Sequence, residues 1–142
     1  MLEFLSGSIK IDPEKPAYKL GEKVNATVTL DLKSPVKARG ITAELLVYYK
    51  TTRVSGSGRN RHSHTETVIL HQDVKPLAGE GTFTGKTTYP VSFDIPNNPN
   101  LLSKPGLLGF IGGVTVYWEL KAKLDIPGGM DINNTKPLSV SG

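Results

Sequence analysis

From Val24 the chain alternates cleanly. Val24, Ala26, Val28, Leu30 and Leu32 are apolar, and Asn25, Thr27, Thr29 and Asp31 between them are polar. Five apolar positions in period two describe a strand with one face in water. A longer run repeats the pattern. Val114, Val116, Trp118, Leu120, Ala122, Leu124 and Ile126 point one way, and Thr115, Tyr117, Glu119, Lys121, Lys123 and Asp125 point the other. No amphipathic helix alternates in this manner over such a length. Further strands are predicted near Ser8–Asp12, Gly40–Val54, Thr65–Val74, Tyr89–Ile95 and Asp131–Val140. Pro90 cannot donate to a ladder, which places its strand at a sheet edge or at its own start.

Turn chemistry separates these runs: Asp12-Pro13, Leu20-Gly21-Glu22, Ser34-Pro35, Gly79-Glu80-Gly81, Asn97-Asn98-Pro99 and Pro127-Gly128-Gly129. Many short strands without a convincing helix predict an all-β fold, a two-sheet antiparallel sandwich. Two segments depart from the pattern. Ser55 to His64 is polar, glycine-rich and basic, and reads as a long mobile hairpin loop. Leu101 to Gly113 is apolar and broken by glycines, with a periodicity that suits neither strand nor helix. Two arrangements are open for it. Leu107, Leu108, Phe110 and Ile111 either fold back over the end of the sandwich, or stand exposed for a partner, a second copy or a membrane surface.

Composition narrows the function. With 142 residues the chain is expected to form a single domain, residues 1–142, able to bury a core without staples. The absence of cysteine excludes disulfides, thiol nucleophiles and cysteine-ligated metal. Fifteen glycines and ten prolines suit many turns. The start Met1-Leu2-Glu3-Phe4 lacks the basic and apolar regions of a signal peptide, so a soluble cytoplasmic domain is expected. A formal net charge of +4 is too small by itself to argue nucleic acid. Near Arg53 only Tyr48 and Tyr49 supply aromatics for base stacking, and no nucleic-acid partner is expected.

Candidate chemistry is sparse. Gly85-Lys86-Thr87 resembles the end of a phosphate loop, but Glu80 stands where its first glycine is needed, and a strand follows rather than a helix. His62 and His64 share a face in an extended segment and lie near Glu66, yet adjacent arginines repel a cation. His71, seven residues on, falls on the opposite face if its strand is unbroken. No serine sits in a nucleophile elbow, and the carboxylates lie mainly at turns or on wet faces. No catalytic residue, metal or cofactor is therefore expected. The chemistry that remains is a local anion site at Arg53, Arg59, Arg61 and His62, suited to an acidic or phosphorylated peptide.

Four ordered segments carry a family resemblance. Tyr18-Lys19-Leu20-Gly21-Glu22-Lys23-Val24 leads through a strand to Ser34-Pro35-Val36-Lys37-Ala38-Arg39-Gly40-Ile41. Tyr89 to Pro96 and Val116 to Pro127 follow in the same order. Together they resemble the N-terminal domain of the arrestin-like superfamily, with wording nearest its α-arrestin branch. The resemblance implies an immunoglobulin-like sandwich acting as a non-catalytic adaptor for cytoplasmic segments of membrane or trafficking proteins. It sets Ser55–His64 where arrestins carry their finger loop, and Lys10 on the first strand, where arrestins sense phosphate with lysines. Arrestins usually pair two such sandwiches, so the chain reads as a one-domain relative or a fragment. It has no Pro-Pro-x-Tyr ligase-recruiting motif.

Overall fold

A computed structural model describes residues 7–56, 58–60, 62–103, 115–128 and 130–142, with the side chains of 52–55, 60, 62 and 63 left out of account. Among the described residues eight strands follow in order: β1 (Gly7–Pro13), β2 (Ala17–Lys19), β3 (Lys23–Ala38), β4 (Gly40–Ser55), β5 (His62–Ala78), β6 (Gly81–Asp94), β7 (Val116–Asp125) and β8 (Ile132–Ser141). They form a three-stranded sheet ordered β1-β3-β6 and a five-stranded sheet ordered β2-β8-β7-β4-β5. The architecture is the expected all-β sandwich. One pair departs from the antiparallel expectation: β2 runs parallel to β8, with Tyr18 opposite Val140.

The two alternating runs build the interior. Val24, Val28 and Leu30 of β3 face Leu120, Ala122 and Leu124 of β7 across the core, and each is almost completely buried. Ile41, Ala43, Leu45 and Val47 of β4 complete the floor, and Phe93 of β6 fills the roof. Alternation makes this possible because successive side chains leave opposite faces of a strand. Trp118 is anchored as well as buried: its indole N–H donates to the Leu101 carbonyl at 3.1 Å and pins the one-turn 3-10 helix Pro99–Leu101.

The chain crosses between sheets at a single residue, Arg39, which separates β3 from β4. Its backbone N–H donates to the Asp125 carbonyl at 2.7 Å, and its guanidinium lies 3.9 Å from the Asp125 carboxylate. Gly40 leaves the crossover against strand β5, where a Cβ would stand 2.7 Å from the Ala78 carbonyl oxygen. Two expectations change here. Ser34-Pro35 is not a turn: β3 continues through it with a bulge between Leu32 and Val36, since a proline without an N–H interrupts the ladder but not the strand. The strand holding Pro90 begins at Gly81, and β6 is indeed an edge strand.

Candidate functional site

The β4–β5 hairpin dominates one end of the molecule. Among the described residues, the last pair of β4 with β7 is Tyr49 opposite Val116. Pairing of β4 with β5 continues to Ser55 opposite His62. Residues 50–55 and 62–67 therefore form a two-stranded arm beyond the last described pair with β7, about 20 Å long at the usual rise per residue. The segment predicted as a loop from Ser55 to His64 is ladder as far as His62, so the connection is shorter than expected. Gly56 and Gly58 adopt positive φ of 85° and 60°, and a 3-10 turn covers Gly58–Asn60. Glycine permits that tight reversal, which lets the ladder run nearly to the tip.

The arm concentrates charge. Residues 50–67 contain Lys50, Arg53, Arg59 and Arg61 against a single acidic residue, Glu66. They thus hold three of the four net positive charges of the whole chain. Register sets Arg53 opposite His64 and Ser55 opposite His62. Arg59 is exposed in the 3-10 turn. Arg61 falls outside the described residues. The backbone positions of Arg53, Arg59 and His62 thus lie on one hairpin.

The imidazoles resolve differently from the sequence expectation. A bulge at Leu70 shifts the register between Tyr48–Ile69 and Val47–His71. The extra residue restores His71 to the face of His64 and Glu66 instead of reversing it. His64 Nε2 lies 3.6 Å from the Glu66 carboxylate, a pair on an exposed surface. Among the described residues no three metal-ligating side chains cluster. Gly85-Lys86-Thr87 lies inside β6, with Gly85 at a positive φ of 71°, within a strand rather than ahead of a helix.

Lys10 is exposed on β1 opposite Thr29. Its nearest same-face positions along and across the strands include Asp12 and Asp31, so the local field there is mixed. The apolar candidates Leu107, Leu108, Phe110 and Ile111 lie outside the described residues. The ends of their segment are fixed: the Val116 N–H donates to Ser103 Oγ at 2.8 Å.

One surface escaped the sequence reading. On the outer face of the five-stranded sheet, Tyr48 is opposite both Ile69 on β5 and Tyr117 on β7. The rings of Tyr48 and Tyr117 stack with centroids 5.3 Å apart. Ile69 and Tyr117 are 53% and 44% exposed, so an apolar row runs across three strands to the edge of the sheet. The Tyr48 hydroxyl donates to Glu119 Oε1 at 2.5 Å. That hydrogen bond, with some desolvation and the Glu119 charge, pushes its pKa up to about 12. Val74, 51% exposed, lines a neighbouring hollow with Glu44, Gln72 and Lys121. Its volume of about 220 Å³ is small for a small-molecule site. A signal was present in the sequence. Leu45-Leu46-Val47-Tyr48-Tyr49 and Val68-Ile69-Leu70 are continuous apolar runs, which must turn some of their side chains outward.

A family model described as "Arrestin (or S-antigen), N-terminal domain" matches residues 7–142. Among solved structures the chain is similar to Spo0M, a sporulation control protein from Bacillus subtilis, at 21% identity with a TM-score of 0.66. The match covers 96% of this chain and 50% of Spo0M, so the chain spans half the length of that relative. At that identity the likeness is one of fold. No curated protein matches the chain.

Proposed function

From the premise that the chain belongs to the arrestin N-terminal domain family, we propose that it is an adaptor module whose basic β4–β5 arm binds acidic or phosphorylated segments of cytoplasmic proteins. An arrestin-like fold suggests a protein-interaction role in general, and members of the family are generally non-catalytic. Among the described residues no helix is long and apolar enough to cross a membrane. The finer reading, with a membrane or trafficking protein as the source of the bound segment, rests on the arm.

The observation that carries it is the segregation of charge. Most of the net positive charge sits on the β4–β5 arm, which continues past the last described pair of β4 with β7. Guanidinium groups form paired hydrogen bonds with carboxylates and phosphates, so arginine suits this task better than lysine. The test is a titration with a fluorescent acidic peptide and its phosphorylated counterpart. Arg59→Glu combined with Arg61→Glu is expected to weaken binding about tenfold or more and to flatten its dependence on salt. Affinity equal to that of the parent protein would remove the arm from the function.

A further inference from the structure

The five-stranded sheet has two edges of very different length. β2 contributes three residues, whereas β5 has seventeen and, among the described residues, pairs as a strand with β4 alone. None of the described side chains of β5 is fully buried, and of its apolar residues Leu77 and Ala78, at the body end, pack against the core. The two halves of β5 are not alike. Beyond Leu70 the edge is guarded by a bulge, by Pro76, and by Lys75, whose ammonium folds inward to the Ser92 carbonyl at 2.6 Å and over the Phe93 ring. On the tip side of Leu70 the ladder to β4 is regular, with neither proline nor lysine in the sequence of that half.

Two further features meet on this unguarded half. The apolar row Tyr117–Tyr48–Ile69 ends at its body end, beside Leu70, which is 37% exposed. Arg59, exposed in the 3-10 turn, stands at its other end. A strand laid along the open side of β5 would extend the row with its own apolar side chain and bring its distal residues to Arg59.

We propose that the tip-side half of β5 receives an extended acidic segment of a partner protein as an added antiparallel strand. A large apolar residue sits beside Ile69, and acidic or phosphorylated residues follow six to eight positions later at Arg59. The spacing follows from about 3.3 Å per residue between Ile69 and the turn, and the order follows from the antiparallel direction, which runs from body to tip. The inference rests on the reading of the arm as an anion-binding element and adds to it a backbone mode of recognition and a sequence pattern.

The probe is a synthetic peptide of about fourteen residues with a phenylalanine near its N-terminus and three glutamates six to eight residues on. Its binding is read by anisotropy, and amide exchange of β5 is followed in parallel. Ile69→Asp, an exposed substitution that leaves the core intact, is expected to weaken binding about tenfold. N-methylating alternate amides of the peptide in one phase should abolish binding, and in the other phase should spare it, since only one set faces β5. Amide exchange from Glu66 to Ile69 should slow on binding. A peptide with the order reversed should bind more weakly.

If both N-methylated peptides bind like the parent while Arg59→Glu still weakens them, strand addition is overturned and the anion-binding arm survives. If no acidic peptide binds, the proposed function fails and this inference fails with it. Protection of β5 that grows with protein concentration in the absence of peptide would assign the edge to a second copy. Stronger protection by anionic phosphatidylserine vesicles than by peptide would assign it to a membrane. Either result overturns the proposal.

Discussion

Single residues decide the turn that begins the family's first motif. Gly21 holds φ at +83°, a region in which an L side chain strains its own backbone. Around it the Lys19 N–H donates to Glu22 Oε1 at 2.6 Å, and the Gly21 N–H donates to the Ile95 carbonyl at 3.1 Å. The first of these bonds holds the Glu22 carboxyl below its ordinary pKa, with Lys15 adding to the effect. A Cβ on Gly21 would meet only ordinary contacts with Asn97, so the cost of Gly21→Ala is conformational. We expect a loss of about 1–2 kcal/mol in a urea melt with an unchanged slope. Tyr48 gives a different residue-scale test. Its pKa is raised to about 12 in the folded protein against 10.0 for a free phenol. The neutral phenol is thus favoured by folding, and its contribution is complete below pH 10 and lost as pH rises toward 12. Melting temperatures should therefore fall less between those values in Tyr48→Phe than in the parent protein. A parallel decline in both would show that the Tyr48–Glu119 bond is not what titrates.

At the scale of elements, β7 and the segment before it depend on one another. Trp118 holds Leu101 through its indole N–H, and Ser103 holds the start of β7 through Val116. Trp118→Phe keeps an aromatic ring in the core but leaves the Leu101 carbonyl without its donor. A loss of about 2 kcal/mol is expected, read as a drop of several degrees in the thermal midpoint. The strands themselves were legible wherever one face was wet and the other dry, as in β3 and β7. Where both faces carry apolar side chains, alternation says little, and the sequence reading missed that Tyr48 and Ile69 face solvent together. β2 was missed because three residues cannot show a period. The bulge at Leu70 was invisible for a related reason: it inserts one residue without a glycine or proline to mark it.

For the whole molecule, the four motif segments turn out to be structural. Tyr18, Val24, Ala38, Ile41, Phe93, Trp118 and Leu124 are all buried, and Arg39 marks the passage from one sheet to the other. Motifs of this kind identify a scaffold well and a ligand poorly. The candidate site was only half legible, because the sequence located the arginines but could not show that their loop is the end of a paired arm. The parallel contact of β2 with β8 carries a kinetic consequence. The β4–β5 ribbon joins neighbours in the chain, and hairpins of this type form within about 1–10 μs. Tyr18 must instead wait for Val140, with almost the entire sequence between them. Closing so large a loop is entropically slow, which places this protein among the millisecond-to-second folders. The arm would then exist before the sandwich is sealed, and a newly made chain would expose its open β5 edge while β2 still searches for its place.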